Sequence, residues 1–358
     1  MVQIKANTVI GMDAGLRYSW CEARRVAQGD PMKEARLANE PEAFRSFVED
    51  LPRPIRLVME ATGNWQYLYE CWEPLVEEVQ LAHPLKTKAI ASARIKTDRI
   101  DKRTLAQLGL ADLVPQAYIP PREVRDLREI LRHRAFLVAL QTKIKNRIHA
   151  YLWKLGLDPG LTDLFGKAGL TWLKTVTLRE PFQMLVHQDL TVLDTLQQEI
   201  QRATRTIEQL AKEDPRAAWL LPIRGIGKYS AMLILAEIGE IARFPGPKPL
   251  VSFAGLCPST HQSGQVSYHG RLTKQGSKWL RWVLVEAAQR HTKAPGRFGN
   301  FYRRIARRKG PNTAKVALAR ELLTAVYHCL KQGVAFEEHP HQRVQKELPT
   351  TPRMTPGR

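Results

Sequence analysis

Four acidic residues have the chemical type and the positions that metal-assisted chemistry needs: Asp13, Glu60, Asp98 and Asp101. Asp13 and Glu60 each end a short apolar run, a pattern typical of buried strands, so each carboxylate is predicted at a strand tip. Asp98 and Asp101 are three positions apart and share one face of a predicted helix. Hard divalent cations prefer oxygen ligands, and a pair of them can neutralise charge and activate oxygen during phosphodiester cleavage. The pattern therefore favours a nuclease-type centre that binds hard divalent cations.

The same acids also have ordinary structural explanations. Asp98 suits the N-cap of a helix, and Asp101 suits the first helical turn, where a negative charge is favourable. Asp13 can equally be a turn residue, and Glu60 a solvated strand end. Spacing alone leaves both interpretations open.

Ser263 is a candidate nucleophile, followed by Gly264 in a stretch that we predict to be a loop, residues 255–264. A serine that attacks phosphorus forms an ester, which conserves the bond energy for a later rejoining step. A serine before a glycine is far more often a simple turn. The residues alone do not decide between the two.

Composition narrows the class of protein. The chain has 358 residues, 44% of them hydrophobic, and a formal charge of +20, which favours nucleic acid as the partner. So large a hydrophobic share argues against a histone-like binder. The four cysteines form no CxxC pair, so a zinc ribbon or disulfides are not expected. No signal peptide or apolar run of membrane-spanning length is found, so we expect a soluble intracellular protein without a membrane partner.

Basic residues recur around two segments. The first is the turn Gly225-Ile226-Gly227, which can present backbone N–H groups and a helix N-terminus to a phosphate. The second runs over residues 270–281, and further arginines follow at 303–308. A charge run is usually a solvated face, but its recurrence favours a phosphate-binding surface. The candidate nucleic-acid-binding residues are Arg224, Gly225, Gly227, Lys228, Arg271, Lys274, Lys278 and Arg281.

Hydrophobic periodicity predicts three domains and a tail. Residues 1–120 alternate strands and helices, which indicates an α/β domain. Strands are predicted near 8–12, 19–27, 36–38, 55–59 and 79–82, and helices near 41–48, 65–78, 86–93 and 98–110. Residues 121–215 hold two long amphipathic helices, 122–154 and 190–212, suited to an antiparallel coiled-coil-like hairpin or to dimer contacts. Residues 216–335 are predicted to be mainly helical with a helix-hairpin-helix-like motif, and the polar, Pro-rich residues 336–358 to be disordered.

Several motifs give the chain a family resemblance. Met59-Glu60-Ala61-Thr62-Gly63 and Lys96-Thr97-Asp98-Arg99-Ile100-Asp101 resemble the DEDD-type insertion-sequence transposases, the IS110 and IS1111 group related to the Piv DNA invertases. Further motifs resemble the second domain of that group: Ile223-Arg224-Gly225-Ile226-Gly227, Ala236-Glu237-Ile238-Gly239, Ala254-Gly255-Leu256-Cys257-Pro258, Gln262-Ser263-Gly264 and Lys274-Gln275-Gly276. Their order and spacing agree over roughly residues 8–110 and 218–290.

The resemblance implies a RuvC-like, ribonuclease-H-type first domain whose DEDD set falls on Asp13, Glu60, Asp98 and Asp101, with magnesium bound there. It also implies that Ser263 attacks DNA to form a phosphoserine link, and that the two sites are composed across the subunits of a dimer or tetramer. The implied partners are target DNA, donor DNA and a non-coding bridge RNA that pairs with both. The implied function is that of a transposase, a site-specific DNA recombinase, in the nucleoid-containing cytoplasm of a prokaryote.

Two other functions fit the same residues. One is a RuvC-like endonuclease that resolves DNA junctions with water, in which Ser263 is only structural. The other is a non-catalytic nucleic-acid-binding protein, although such a binder has no need of four carboxylates. A covalent protein–DNA adduct distinguishes the recombinase from the hydrolytic nuclease.

Overall fold

The computed structural model describes residues 5–90, 98–263 and 266–338. The chain divides into two compact units, Met1–Pro120 and Pro121–Arg358. No helix among the described residues combines the length and the apolar character that a membrane span requires.

The first unit is built on a five-stranded mixed sheet. Its strands are β1 (Thr8–Ala14), β2 (Tyr18–Arg25), β3 (Pro31–Ala38), β4 (Ile55–Glu60) and β5 (Glu78–Ala82). They lie in the order β3-β2-β1-β4-β5. The pairs β1–β2 and β2–β3 are antiparallel, whereas β1–β4 and β4–β5 are parallel. The sheet confirms the α/β class predicted for this part of the chain.

Helices cover both faces of this sheet. Those that contact the sheet are α1 (Pro41–Val48), α2 (Trp65–Trp72) and α4 (Asp98–Leu110), and α3 (Pro84–Ile90) follows β5 in the chain. On one face, Phe44 of α1 stacks on Trp72 of α2, with ring centroids 4.6 Å apart, above the buried side chains of Met12 and Met59. The opposite face carries α4, which contacts β1, β2 and β4.

Two predicted elements of the first unit differ from the observed ones. The helix predicted over 65–78 ends at Trp72. Pro74 explains the early end, because a proline has no backbone N–H to donate to the carbonyl oxygen four residues earlier. The strand predicted over 36–38 is eight residues long, and it is half exposed with charges such as Lys33 and Arg36, as befits an edge strand.

The second unit is mainly helical, as predicted. Its elements are α5 (Arg122–Lys154), α6 (Lys167–Thr175), α7 (Phe182–Glu213), α8 (Pro215–Leu220), α9 (Lys228–Ile238), α10 (Pro247–Phe253), β6 (Pro258–Ser263), β7 (Val266–Leu272), α11 (Lys278–Gln289), α12 (Arg297–Lys309) and α13 (Pro311–Gln332). Helix α7 begins eight residues before the predicted residue 190, directly after Pro181, which suits a helix start.

Helices α5 and α7 lie antiparallel along their length. Gln141 of α5 donates to Gln197 of α7, and further along α5 the guanidinium of Arg147 pairs with Asp189. The first part of α5 also contacts α9, where the guanidinium of Arg132 binds the buried carboxylate of Glu237. One core cluster joins residues of α5, α7, α9, α11 and α13. The predicted boundary between a domain of residues 121–215 and one of residues 216–335 stays a prediction.

Two predictions for the second unit are corrected. The segment 258–263, predicted as loop, is a strand that pairs antiparallel with β7. Valine and tyrosine at alternate positions of β7 favour this pairing. The predicted tail begins too early, because Phe336 stacks on Phe298 with centroids 5.8 Å apart and donates its N–H to Trp219. Residues 339–358 of that tail lie outside the described residues.

Candidate active site and nucleic-acid surfaces

Asp13 and Glu60 lie side by side at the carboxyl ends of neighbouring parallel strands. Met12 of β1 is in register with Met59 of β4, so the next residue of each strand is an acid. Side chains alternate along a strand, and Gly11 faces α4, so Asp13 and Glu60 both point to the α4 side of the sheet. Both acids are half-buried. This arrangement presents two carboxylates together at one edge of the sheet.

Helix α4 reaches the same edge because two glycines let it approach the sheet closely. A Cβ on Gly11 of β1 would lie 2.1 Å from the backbone oxygen of Lys102. A Cβ on Gly109 would lie 2.7 Å from the side chains of Val9 and Val58. The end of α4 therefore lies over the beginning of the strands, and its first turn is directed towards the strand ends that carry Asp13.

Asp98 and Asp101 occupy the first turn of that helix. The structure describes their backbone, and their side chains lie outside the described set. Among the described side chains, which exclude these two, no group of three His, Cys, Asp or Glu suited to a metal is found. The oxygen donors that are described, Asp13 and Glu60, are of the kind that Mg²⁺ and Mn²⁺ prefer and converge on the side of α4. The residues present therefore fit a divalent cation.

A buried cation lies beside this edge. The side chain of Lys102 is fully buried, its ammonium pairs with Glu34 of β3, and it stands 4.5 Å from the ring centroid of Trp20. Trp20 is the antiparallel partner of Asp13. The burial of Lys102 was not predicted, since a lysine after an aspartate carries no signal of burial. On the opposite face, burial raises the pKa of the Cys21 thiol well above its usual range.

Ser263 is the last residue of β6, opposite Val266 of β7. It stands next to the tip of a two-stranded hairpin rather than in an irregular loop. Its side chain lies outside the described set, as do residues 264 and 265. The backbone position is thus known, and the predicted role of its hydroxyl stays a prediction.

The Gly-x-Gly turn between α8 and α9 is held by α11. Gly225 has φ +85°, and a Cβ there would lie 2.7 Å from the carbonyl oxygen of Ala287. The buried ring of His291 binds the carbonyl oxygen of Arg224 through Nε2, at 2.8 Å. Burial lowers the pKa of His291, so the neutral ring donates this hydrogen bond. Arg224, Gly225, Gly227 and Lys228 are all exposed.

The second basic segment separates into exposed and anchoring residues. Arg271, Lys274 and Lys278 are exposed. Arg281 is half-buried and donates to the carbonyl oxygens of Ala254 (3.1 Å) and Lys274 (3.3 Å). Its guanidinium therefore fastens the chain on both sides of the hairpin, a role that the sequence did not indicate.

A groove between α5 and α11 also went unnoticed in the sequence. It has a volume of about 750 Å³, and its walls carry Arg132, Phe136, Lys278, Trp279 and Trp282. Phe136 is 56% exposed and Trp282 43% exposed. Aromatic residues at helical spacing usually indicate a core, so their exposure could not be predicted from the sequence.

Both units of the chain match profiles of known protein families. A DEDD transposase profile of the IS110 type matches residues 10–155, and a profile described as "Transposase IS116/IS110/IS902 family" matches residues 217–303. The first match includes Asp13, Glu60, Asp98 and Asp101, and the second includes Ser263 and all eight candidate nucleic-acid-binding residues.

Individual proteins from three bacteria are similar over most of their length. A probable family 20 transposase of Pseudomonas aeruginosa is 27% identical over 82% of this chain and 88% of its own. The transposase for insertion sequence element IS1111A of Coxiella burnetii is 26% identical over 78% of this chain and 79% of its own. A pilin gene-inverting protein of Moraxella bovis is 27% identical over 80% of this chain and 84% of its own.

Proposed function

We propose that this chain, which belongs to the IS110/IS116 family of DEDD transposases, is the site-specific DNA recombinase of a mobile element. In this proposal it cleaves DNA strands and rejoins them to new partners. The observation that carries the proposal is the register of β1 and β4, which makes Asp13 and Glu60 neighbours on the side of the sheet that α4 covers.

The first part of the proposal is that Asp13, Glu60, Asp98 and Asp101 together hold Mg²⁺ or Mn²⁺. The support is that two strand tips and the first turn of α4 meet at one edge of the sheet. A bound divalent ion supplies Lewis-acid stabilisation of the phosphate charge. The four carboxylates would hold that ion at this edge of the sheet. The sheet order agrees with the RuvC-like, ribonuclease-H-type fold that the resemblance implies.

The second part is that Ser263 is the nucleophile. Its oxygen bonds to phosphorus while the bond from phosphorus to a bridging sugar oxygen breaks, and that oxygen leaves as a hydroxyl after gaining the proton that the serine loses. A sugar hydroxyl of another strand later attacks the same phosphorus and releases the serine. The number of phosphodiester bonds is conserved, so rejoining requires no external energy source. The position of Ser263 next to the tip of the β6–β7 hairpin supports its proposed role as the nucleophile.

The third part concerns partners. The exposed basic residues of the Gly-x-Gly turn and of residues 271–278 are proposed to bind DNA or RNA phosphates. A bridge RNA that pairs with target and donor DNA is proposed to select the sites, in an assembly of two or four copies in the cytoplasm, at the nucleoid. The formal charge of +20 agrees with binding to both DNA and RNA.

A strand-transfer assay with DNA and RNA from the region flanking the gene tests the proposal. Asp13→Asn, Glu60→Gln and Ser263→Ala are each expected to abolish joined products, whereas Asp30→Asn and Ser259→Ala are expected to leave them unchanged. Trapping with detergent should yield a covalent protein–DNA adduct in the wild type and none in Ser263→Ala. Cleaved DNA without any adduct would instead identify a hydrolytic junction nuclease.

The same assay tests the guide and the metal separately. Omitting the RNA should abolish joining at the correct site, and adding Mn²⁺ to Asp13→Asn should not restore it. Wild-type product levels from Ser263→Ala would refute the serine mechanism, and full product without RNA would refute guidance.

A further inference from the structure

The turn between β1 and β2 presents an apolar side chain to solvent. Leu16 is 84% exposed, at the centre of a tight turn that starts two residues after Asp13. Single exposed apolar residues are common on protein surfaces and by themselves mean little. The way in which this turn is held makes Leu16 different.

The turn is fastened by two asparagine side chains. The amide of Asn39 donates to the carbonyl oxygens of Gly15 (2.9 Å) and Leu16 (3.2 Å), and its backbone N–H donates to Arg17 (3.0 Å). The oxygen of the Asn39 amide accepts from the buried Ser19 hydroxyl at 2.7 Å. The leucine therefore stands on a fixed backbone and does not fold back onto the sheet.

The second asparagine ties the turn to the other acidic strand. Asn64 follows Glu60 by four residues, and its amide donates to the carbonyl oxygen of Gly15 at 2.8 Å. A Cβ on Gly15 would lie 2.4 Å from the oxygen of Tyr18, so the turn is as tight as glycine allows. The position of Leu16 is thus set relative to both Asp13 and Glu60.

Two exposed cations lie near this turn. Arg17 is exposed beside Leu16, and the guanidinium of Arg36 in β3 lies 4.3 Å from the centroid of the Tyr18 ring. An apolar tip with cations near it complements a DNA duplex, which offers apolar base stacks between two rows of phosphates.

We propose that Leu16 is a wedge that enters the base stack of duplex DNA next to the scissile phosphate, while Arg17 and Arg36 bind the phosphates on either side. Side chains of this kind unstack base steps and kink the duplex. The inference rests on the proposed role of Asp13 and Glu60 as the site where the DNA strand is cut. It adds that the site distorts its substrate before the cut.

Unstacking can be measured without cleavage. Duplex DNA from the region flanking the gene, with 2-aminopurine placed at each base step in turn, is mixed with full-length protein carrying Asp13→Asn. Fluorescence should rise on binding and should fail to rise when Leu16→Ser is added to that protein. Leu113→Ser, at another exposed leucine (58%) of the same unit, is the matched control and should behave as its parent. An equal rise with and without Leu16 would overturn the wedge whatever the outcome of the cleavage assays.

A rescue experiment separates a wedge from a residue needed only for folding. Leu16→Ala should cleave matched DNA at least tenfold more slowly than the wild type, and a mismatch at the cleavage step should restore most of the rate, because that step is already unstacked. Equal slowing on both substrates, or no slowing on either, would refute the wedge. Absence of cleavage by the wild type would count against the proposed recombinase function, and the fluorescence assay would still test the wedge.

Discussion

At the scale of single residues, the ion pair of Lys102 and Glu34 is asymmetric. The lysine side chain is fully buried, whereas 39% of the glutamate side chain is exposed. Removing one partner of a buried pair is costly when the remaining charge is left without compensation. Losing the glutamate strands a buried ammonium, and losing the lysine leaves a carboxylate that water can still reach.

We therefore expect Glu34→Gln to lower the free energy of unfolding by about 3 kcal/mol, and Lys102→Met, which retains the apolar stem, by about 1 kcal/mol. Urea denaturation of the two variants measures the difference. Lys33→Met removes an ion pair with the largely exposed Asp50 and should change stability much less than Glu34→Gln does. A larger loss for Lys102→Met than for Glu34→Gln would contradict this assignment of the buried charge.

The sequence predicted some single residues well and others poorly, for a physical reason. Asp13 and Glu60 end apolar runs, which predicted their positions at strand tips; the face that they share follows only from the register of β1 with β4 and from the contact of Gly11 with α4. Lys102 and Arg281 stabilise the fold through contacts with residues far away in the chain. No local pattern distinguishes a buried or anchoring cation from a solvated one, so such roles emerge only from the folded structure.

At the scale of elements, the contact between α4 and β1 depends on glycine. Gly11→Ala would place a methyl group 2.1 Å from the backbone oxygen of Lys102, and backbone cannot move aside as a flexible side chain can. We expect this variant to lose about 3 kcal/mol of stability or more through overpacking. Because the first turn of α4 would shift, Mn²⁺ binding measured by calorimetry should weaken as well. Gly63→Ala, with no atom within 4 Å of the added methyl group, is the control.

The turn between α8 and α9 should respond to pH through His291. Burial lowers the pKa of this ring in the folded state below the usual 6.5, so the unfolded chain binds the proton more readily. Stability is therefore unaffected above about pH 6.5 and falls as the pH drops from there towards the lowered pKa, by up to about 1.4 kcal/mol per pH unit. Urea denaturation at several pH values checks the sign. His291→Gln should remove this part of the pH dependence, and an unchanged profile would assign it elsewhere.

Elements were predicted where one pattern dominated. Residues 122–154 contain no glycine or proline and form α5 with the expected bounds. The β6–β7 hairpin was missed because its polar residues and Gly264 resemble a loop, although its ladder runs from Pro258 to Leu272. The close approach of α4 was equally hidden, because Gly11 and Gly109 gain their meaning only when strand and helix meet.

At the scale of the whole molecule, the positive charge should make DNA binding strongly dependent on salt. Each phosphate contact contributes about 0.9 to the slope of the logarithm of the binding constant against the logarithm of salt concentration. Arg271→Gln with Lys274→Gln should reduce that slope by about 2 if both residues bind phosphates. Fluorescence anisotropy from low to moderate salt measures it. The control variant Glu129→Gln with Asp126→Gln removes two acids from α5 and should not reduce the slope. An unchanged slope in the Arg271→Gln, Lys274→Gln variant would mean that neither residue binds a phosphate.

The division into two units predicts that the first unit alone binds the metal and that the second unit supplies the nucleophile. Strands β1, β4 and β5, with α1 and α2, enclose a hydrophobic core made of residues from the first unit alone. Since the proposed metal ligands all lie in that unit and Ser263 does not, a fragment of residues 1–120 should unfold cooperatively in urea and bind Mn²⁺. Binding should be lost in Asp13→Asn, and the fragment should form no covalent DNA adduct. An adduct formed by the fragment would mean that the nucleophile belongs to the first unit, and a cooperative fold without Mn²⁺ binding would mean that the metal site needs residues beyond 120.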